Sequence, residues 1–211
     1  VVVILDASSS MLCEDKFKRA QELAAAFSTM ALLSTERVSL FAGTSTDKKP
    51  VALQSCSGKS ATRQVFDFLE SVSPAGGSTI DTTVATTLRV HRGRGIAIVL
   101  SDFLTTGDVS RSFNLLNSAG LEIFALQILG PNEIDPNVTG DVRLVDCETS
   151  QALDVSSARD LLDLYHEHRQ KQQDWLASQC RRRNGRFESV SSGNSLESIL
   201  FETLLRRGWV R

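Results

Sequence analysis

The sequence has no apolar run of membrane-spanning length, no closely paired cysteines and little net charge. Without such a run, these residues are not expected to contain a membrane span. A net charge of −2 and a pI near 6.0 do not favour nucleic-acid binding. The four cysteines are widely scattered and form no C-x-x-C pair. A chain of this size folds without disulfides, so we expect reduced thiols in a cytoplasm-like compartment.

The sequence also lacks an initiating methionine and a signal peptide, and it begins inside an apolar segment. We therefore expect a segment of a longer chain, cytoplasmic or tethered to a membrane through parts outside these residues. Its 211 residues and 41% hydrophobic content are enough for one medium-sized domain with a full core. We expect a single domain over residues 1–211, with no membrane contact of its own.

Apolar strands alternate with amphipathic helices along most of the chain, which is typical of an α/β fold. The order predicts a doubly wound, Rossmann-like, mostly parallel sheet of about six strands with helices on both faces. Two successive strands over residues 37–54 predict one antiparallel edge strand. Val142–Val145 and Ala152–Val155 predict a hairpin insert near residues 140–156. Helical periodicity after residue 158 places Trp175 on an apolar stripe and therefore in the core.

The first ten residues organise the predicted fold. Val1–Leu5 has no polar residue and predicts a buried parallel strand, which runs directly into Asp6. Side chains two apart in an extended chain point the same way, so Asp6, Ser8 and Ser10 can present three oxygens to one point. Hard oxygens suit Mg²⁺. A strand-to-helix turn capped by the same Asp and Ser side chains is the alternative interpretation.

A second apolar strand, Gly95–Leu100, ends in the same way, in Ser101 and Asp102. Ligands of doubly wound sheets bind where the strand order reverses, which places the first and fourth strands side by side. The Asp6 and Asp102 carboxylates should then share one crevice and raise each other's pKa unless a cation lies between them. The Gly-Gly-Ser loop before Thr79 opens at the same end of the sheet and can deliver the Thr79 hydroxyl.

Together, Asp6-x-Ser8-x-Ser10, Thr79 after a Gly-Gly turn and Asp102 at a strand end resemble the metal-ion-dependent adhesion site of von Willebrand factor type A domains. The resemblance implies that Ser8, Ser10 and Thr79 bind the metal, with Asp6 and Asp102 direct or water-bridged. The whole chain resembles a bacterial branch of unknown function found beside MoxR-type AAA+ ATPases. Four further segments carry that resemblance: Leu100–Leu104, Leu129–Pro136, Leu144–Thr149 and Tyr165–Arg169.

The resemblance implies adhesion without catalysis. Mg²⁺, or another divalent cation such as Mn²⁺ or Ca²⁺, is held mostly by neutral hydroxyls, and a Glu or Asp of a partner protein fills its open position. A MoxR-type ATPase, or a protein that it remodels, is the expected partner. The residues alone also allow a Mg²⁺-dependent phosphoester hydrolase of haloacid dehalogenase type, which has an apolar strand ending in Asp. That chemistry needs a second acid two residues later, where this chain has Ser8. A structural domain with a vestigial metal site is the third alternative.

Overall fold

A computed structural model describes residues 1–43, 51–74, 79–104, 107–136, 142–145, 152–155 and 158–209. The strands are β1 (Val2–Leu5), β2 (Arg37–Ala42), β3 (Val51–Ser57), β4 (Gly95–Ser101), β5 (Leu121–Leu129), β6 (Val142–Val145), β7 (Ala152–Val155) and β8 (Arg186–Ser191). The helices are α1 (Lys16–Leu33), α2 (Thr62–Ser71), α3 (Ile80–Val90), α4 (Val109–Ser118), α5 (Pro131–Ile134) and α6 (Ala158–Arg181). A 3₁₀ segment, Ser9–Asp15, precedes α1, and a π-helical segment, Ser198–Leu204, follows β8.

Six strands form one sheet in the order β3-β2-β1-β4-β5-β8. All neighbours pair in parallel except β2 and β3, so β3 is an antiparallel edge strand. The predicted α/β fold with a doubly wound, mostly parallel sheet is therefore confirmed. The first and fourth strands are neighbours, with Leu5 opposite Leu100. Chain reversal on either side of this pair leaves a crevice at their carboxyl ends.

The two faces of the sheet are covered by different helices, which explains why β1 is apolar at every position. Val3 and Leu5 pack into a cluster with residues of α1 and α2. Val2 and Ile4 pack into a second cluster with residues of α3, α4 and α6. Successive side chains of a strand point to opposite faces, so a strand covered on both sides has no polar position. Among the helices of the described residues, none is both long and apolar enough to cross a membrane.

The prediction that Trp175 lies in the core is wrong, because its side chain is 43% exposed. The buried side of α6 is centred on Leu176, Gln179 and Cys180, which are three and four residues apart. Trp175 lies beside that stripe, at its edge. Strands β6 and β7 pair antiparallel with each other in a separate two-stranded sheet, at the residues where the sequence predicts a hairpin.

Candidate functional site

The carboxyl ends of β1 and β4 place Asp6 and Ser101 side by side. The register of the two strands continues one residue further, because the Asp6 amide donates to the Leu100 carbonyl at 2.9 Å. Beside it, the Ser101 hydroxyl donates to Asp6 Oδ2 at 2.5 Å. The other carboxylate oxygen, Oδ1, accepts the Ser8 amide at 2.9 Å. Asp6 is therefore buried, with both oxygens of its carboxylate held in a fixed orientation.

Ser8 and Ser10 follow Asp6 by two and four residues in sequence, and their side chains converge. Their hydroxyl oxygens are 3.0 Å apart, and both residues are buried. Ser8 precedes the 3₁₀ segment, yet its side chain makes no capping hydrogen bond. These serines therefore do not act as helix caps, which was the alternative interpretation. The structure brings Asp6, Ser8 and Ser10 together, with their oxygens on one side of the turn.

Asp102 lies one residue beyond β4 and is 1% exposed. Its Oδ1 accepts the amide of Leu104 at 3.0 Å, and its Oδ2 accepts from Lys16 Nζ at 2.8 Å. Asp102 is not a helix cap, because α4 begins later and is capped by Asp108, whose Oδ1 accepts the Arg111 amide. Both carboxylate oxygens of Asp102 are thus already engaged by groups of this chain.

Lys16 belongs to this cluster but is not among the residues predicted from the sequence. It is 0% exposed, and its ammonium also pairs with Glu133 Oε1 at 2.6 Å. Glu133 Oε2 in turn accepts the Gly130 amide at the start of α5. Burial lowers the pKa of Lys16, but the charges and hydrogen bonds of Asp102 and Glu133 outweigh it, so the pKa is raised and the ammonium stays charged. No local pattern indicates a partner 117 positions away.

The charge of Asp6 is not compensated in the same way. Burial raises the pKa of Asp6, the Ser101 hydrogen bond opposes that shift, and the charge of Asp102 raises the pKa further. The net shift of the Asp6 pKa is upward, mainly because the carboxylate is buried. Lys16 pairs with Asp102 and Glu133, and no ion pair of Asp6 occurs among the described residues. Lys16 is shared by two carboxylates and does not pair with Asp6, so the surroundings of Asp6 favour additional positive charge.

Thr79 is the residue immediately before α3. Its hydroxyl lies 3.3 Å from the Thr82 hydroxyl. Within the described ranges no hydrogen bond joins the Thr79 side chain to Asp6, Ser8 or Ser10. The loop before it, residues 75–78, lies outside the described residues. Convergence of Thr79 with the other predicted ligands therefore stays a prediction.

The oxygen atoms around Asp6 are suitable ligands for a hard cation. The Asp6, Ser8 and Ser10 side chains supply a carboxylate and two hydroxyls, the oxygen ligands that Mg²⁺ and Ca²⁺ prefer. In the part of the chain that the structure describes, no group of three or more His, Cys, Asp or Glu side chains forms a metal site. A cation here would therefore depend on hydroxyl ligands. Asp102 is already paired with Lys16, so it is better placed to contact a cation through a water molecule than to coordinate it directly.

Comparisons with known proteins agree with this architecture. A family model described as "Protein of unknown function DUF58" matches residues 1–174. The chain is similar to the conserved hypothetical protein BatB from Bacteroides thetaiotaomicron, with 15% identity, a TM-score of 0.56, and coverage of 99% of this chain and 98% of that one. It is also similar to an aerotolerance-related membrane protein from Bacteroides fragilis NCTC 9343, with 17% identity, a TM-score of 0.58, and coverage of 97% and 98%.

A von Willebrand factor type A structure from Catenulispora acidiphila shares 17% identity with a TM-score of 0.46, over 61% of this chain and 32% of that chain. No curated protein matches the sequence. At these identities the two Bacteroides structures show a shared fold. The chemistry of the site must be argued from the side chains of this chain.

Proposed function

This chain belongs to the DUF58 family of proteins of unknown function, and we propose that it is a protein-binding module that captures an acidic residue of its partner through a divalent cation. The observation that supports the proposal best is the cluster of oxygens at the ends of β1 and β4. The Ser8 and Ser10 hydroxyls lie 3.0 Å apart beside a buried Asp6 whose pKa is raised. Additional positive charge at this point relieves the cost of the buried carboxylate.

Each predicted ligand has a separate role in the proposed site. Ser8, Ser10 and Thr79 supply neutral hydroxyl oxygens, and Asp6 supplies the neighbouring negative charge. Asp102 stays paired with Lys16 and supports the site from behind, through water. A cation held mostly by neutral oxygens keeps positive charge and attracts a carboxylate of a partner protein. Since Asp6, Ser8, Ser10 and Asp102 come from strand ends and from the turns that follow them, the proposed ligand-binding face is the carboxyl edge of the sheet.

The phosphoester hydrolase has no observation in its favour. Its nucleophile would be Asp6, but both carboxylate oxygens of Asp6 already accept hydrogen bonds, from Ser8 and Ser101. The general acid two residues later is absent, because that position is Ser8. A hydroxyl does not protonate a leaving group at neutral pH as a carboxylic acid can. The proposal is therefore binding, with Mg²⁺ as the first choice and Mn²⁺ or Ca²⁺ as alternatives.

Removing the two serine hydroxyls tests the cation directly. In a calorimetric titration with MgCl₂, the wild-type protein should give saturable heat, and the double variant Ser8→Ala/Ser10→Ala should bind at least about tenfold more weakly. Ser9→Ala is the matched control, because Ser9 lies between the two ligands in sequence and makes no hydrogen bond among the described side chains. Equal heats for the double variant and the control would remove the metal from the proposal.

The partner we propose is a MoxR-type AAA+ ATPase or a protein on which it acts. Surface plasmon resonance with a purified MoxR-type ATPase should show binding in MgCl₂ that is lost on addition of chelator. It should also be lost in the Ser8→Ala/Ser10→Ala variant and kept in Ser9→Ala. Binding that persists unchanged in chelator would show that the interaction does not pass through the cation.

A further inference from the structure

A hollow lies between α6 and the turn that follows Asp102. It has a volume of about 240 Å³, and its wall is mostly apolar. Six residues line it: Leu104, Leu129, Tyr165, His168, Arg169 and Gln172. We refer to it as the Leu104 hollow. Pockets for drug-sized ligands or cofactors have volumes of about 300–1,000 Å³, so this one is suited to a single amino-acid side chain.

The Leu104 hollow is joined to the cation site through the backbone. The Leu104 amide donates to Asp102 Oδ1 at 3.0 Å. From the other side, Gln172 Nε2 donates to the Phe103 carbonyl at 2.9 Å, which fixes α6 to the same turn. Leu129, at the end of β5, is buried, whereas Leu104 is 47% exposed. The hollow is therefore held in place by the same strand-end turn that carries Asp102, and it presents an apolar surface to a partner.

Arg169 adds a positive charge to this wall. Its Nε is buried and, over the ranges that the structure describes, has no hydrogen-bond partner. A guanidinium has five donors in a planar fork that matches a carboxylate. Leaving a buried donor of a charged group without an acceptor is unfavourable. The carboxylate of Glu133, whose backbone carbonyl accepts from Tyr165, is already paired with Lys16.

We infer that the Leu104 hollow is a second contact for the partner of the cation site, and that it binds a segment in which a large aliphatic residue adjoins an acidic one. The aliphatic side chain enters the hollow, and the carboxylate binds the Arg169 guanidinium. Charge complementarity identifies the occupant, because an apolar pocket selects for an aliphatic side chain and a guanidinium whose Nε has no partner among the described residues selects for a carboxylate. The inference rests on the proposed function for the identity of the partner, but this contact itself needs no metal.

The test uses a capped dipeptide, acetyl-Leu-Glu-amide, added to ¹⁵N-labelled protein in chelator. Saturable shifts are expected at residues around the Leu104 hollow, with a dissociation constant of roughly a millimolar, as befits so small a ligand. Arg169→Gln should weaken this binding by at least about tenfold, since hydrogen bonds to charged groups are the strong ones. Lys171→Gln, which removes an exposed cation of the same helix, is the matched control and should bind normally.

Two control peptides separate the two halves of the contact. Acetyl-Leu-Gln-amide lacks the charge and acetyl-Ala-Glu-amide lacks the large side chain, and both should bind more weakly than the parent peptide. Equal binding by Arg169→Gln and Lys171→Gln, or equal binding of all three peptides, would overturn the inference. Shifts that follow protein concentration in place of peptide concentration would assign this face to a second copy of the chain and also overturn it.

The cation site and the Leu104 hollow can be tested independently of each other. Peptide binding in chelator without any Mg²⁺ heat in the calorimeter supports the Leu104 hollow and removes the cation site. Saturable Mg²⁺ heat without peptide binding removes the hollow and leaves the cation site in place. Because the spectrum of each variant reports its folding, an Arg169→Gln protein with dispersed, wild-type-like signals gives a valid comparison.

Discussion

Lys16→Met is expected to lower the free energy of unfolding by about 3–5 kcal/mol, the cost of breaking a buried ion pair from one side. The ammonium is 0% exposed and pairs with Asp102, which is 1% exposed, and with Glu133. Without it, the Asp102 carboxylate stays buried with no cation to compensate its charge. Methionine has nearly the same length and helix propensity as lysine, so the loss reports on charge. Chemical denaturation at neutral pH, in the presence of chelator, measures it.

Lys18→Met provides the matched control, because Lys18 lies on the same turn of α1, is exposed and makes no ion pair among the described residues. Its effect should stay within about 0.5 kcal/mol. Adding Asp102→Asn to Lys16→Met removes the stranded charge and should recover part of the loss, since residues in contact couple by about 0.5–3 kcal/mol. A Lys16→Met protein as stable as Lys18→Met would show that Asp102 does not need its buried cation.

The same lysine connects the two surfaces proposed for the partner. On one side it holds Asp102, whose neighbouring turn carries Leu104. On the other side it holds Glu133, whose carbonyl accepts the Tyr165 hydroxyl at 2.5 Å in the wall of the Leu104 hollow. Lys16 and Glu133 therefore link the Asp102 side of the cation site to α6. This geometry favours one partner that covers both contacts over two independent ligands.

The sheet could be predicted from the sequence because its signals are local. A strand covered on both faces has no polar position, and the apolar segments Val1–Leu5 and Gly95–Leu100 each end at polar residues that include an acid, Asp6 and Asp102. Their neighbouring positions follow from the general rule that places ligands where the strand order reverses. The convergence of Asp6, Ser8 and Ser10 follows in turn from the two-residue period of extended chain. All these inferences use spacings of a few residues or a topological rule.

Lys16 could not be predicted in this way. Its partners lie 86 and 117 positions away, and a lysine in the first turn of a helix is ordinarily solvated. Only the folded chain shows that α1 begins beneath the ends of β4 and β5, where its first side chain meets two carboxylates. The misassignment of Trp175 has a related cause. Periodicity defines an apolar stripe only to within one position, and contacts with the sheet decide which edge of it is covered.

The buried charge of Asp6 should lower the stability of the protein at neutral pH when no cation is bound. Burial and the Asp102 charge raise the pKa of Asp6, so its protonated form is favoured in the fold. Its contribution to stability is therefore complete below the unfolded pKa of 3.8 and is lost as the pH rises through the higher folded pKa. Asn imitates the protonated acid. In chelator at neutral pH, Asp6→Asn should be more stable than wild type, and this advantage should vanish as the pH falls towards the unfolded value.

Divalent cation should reverse this order, and that reversal separates a binding site from a merely strained carboxylate. Wild type gains about 2.7 kcal/mol at a Mg²⁺ concentration one hundred times the dissociation constant, whereas Asp6→Asn, which lacks the charge, gains almost nothing. Denaturation curves with chelator and with MgCl₂, from about pH 4 to about pH 8, measure both effects together. Ser9→Ala should follow wild type throughout. If Mg²⁺ stabilises wild type and Asp6→Asn equally, or stabilises neither, the proposed cation site is wrong. The buried charge of Asp6, which lowers stability, would then not be explained by cation binding.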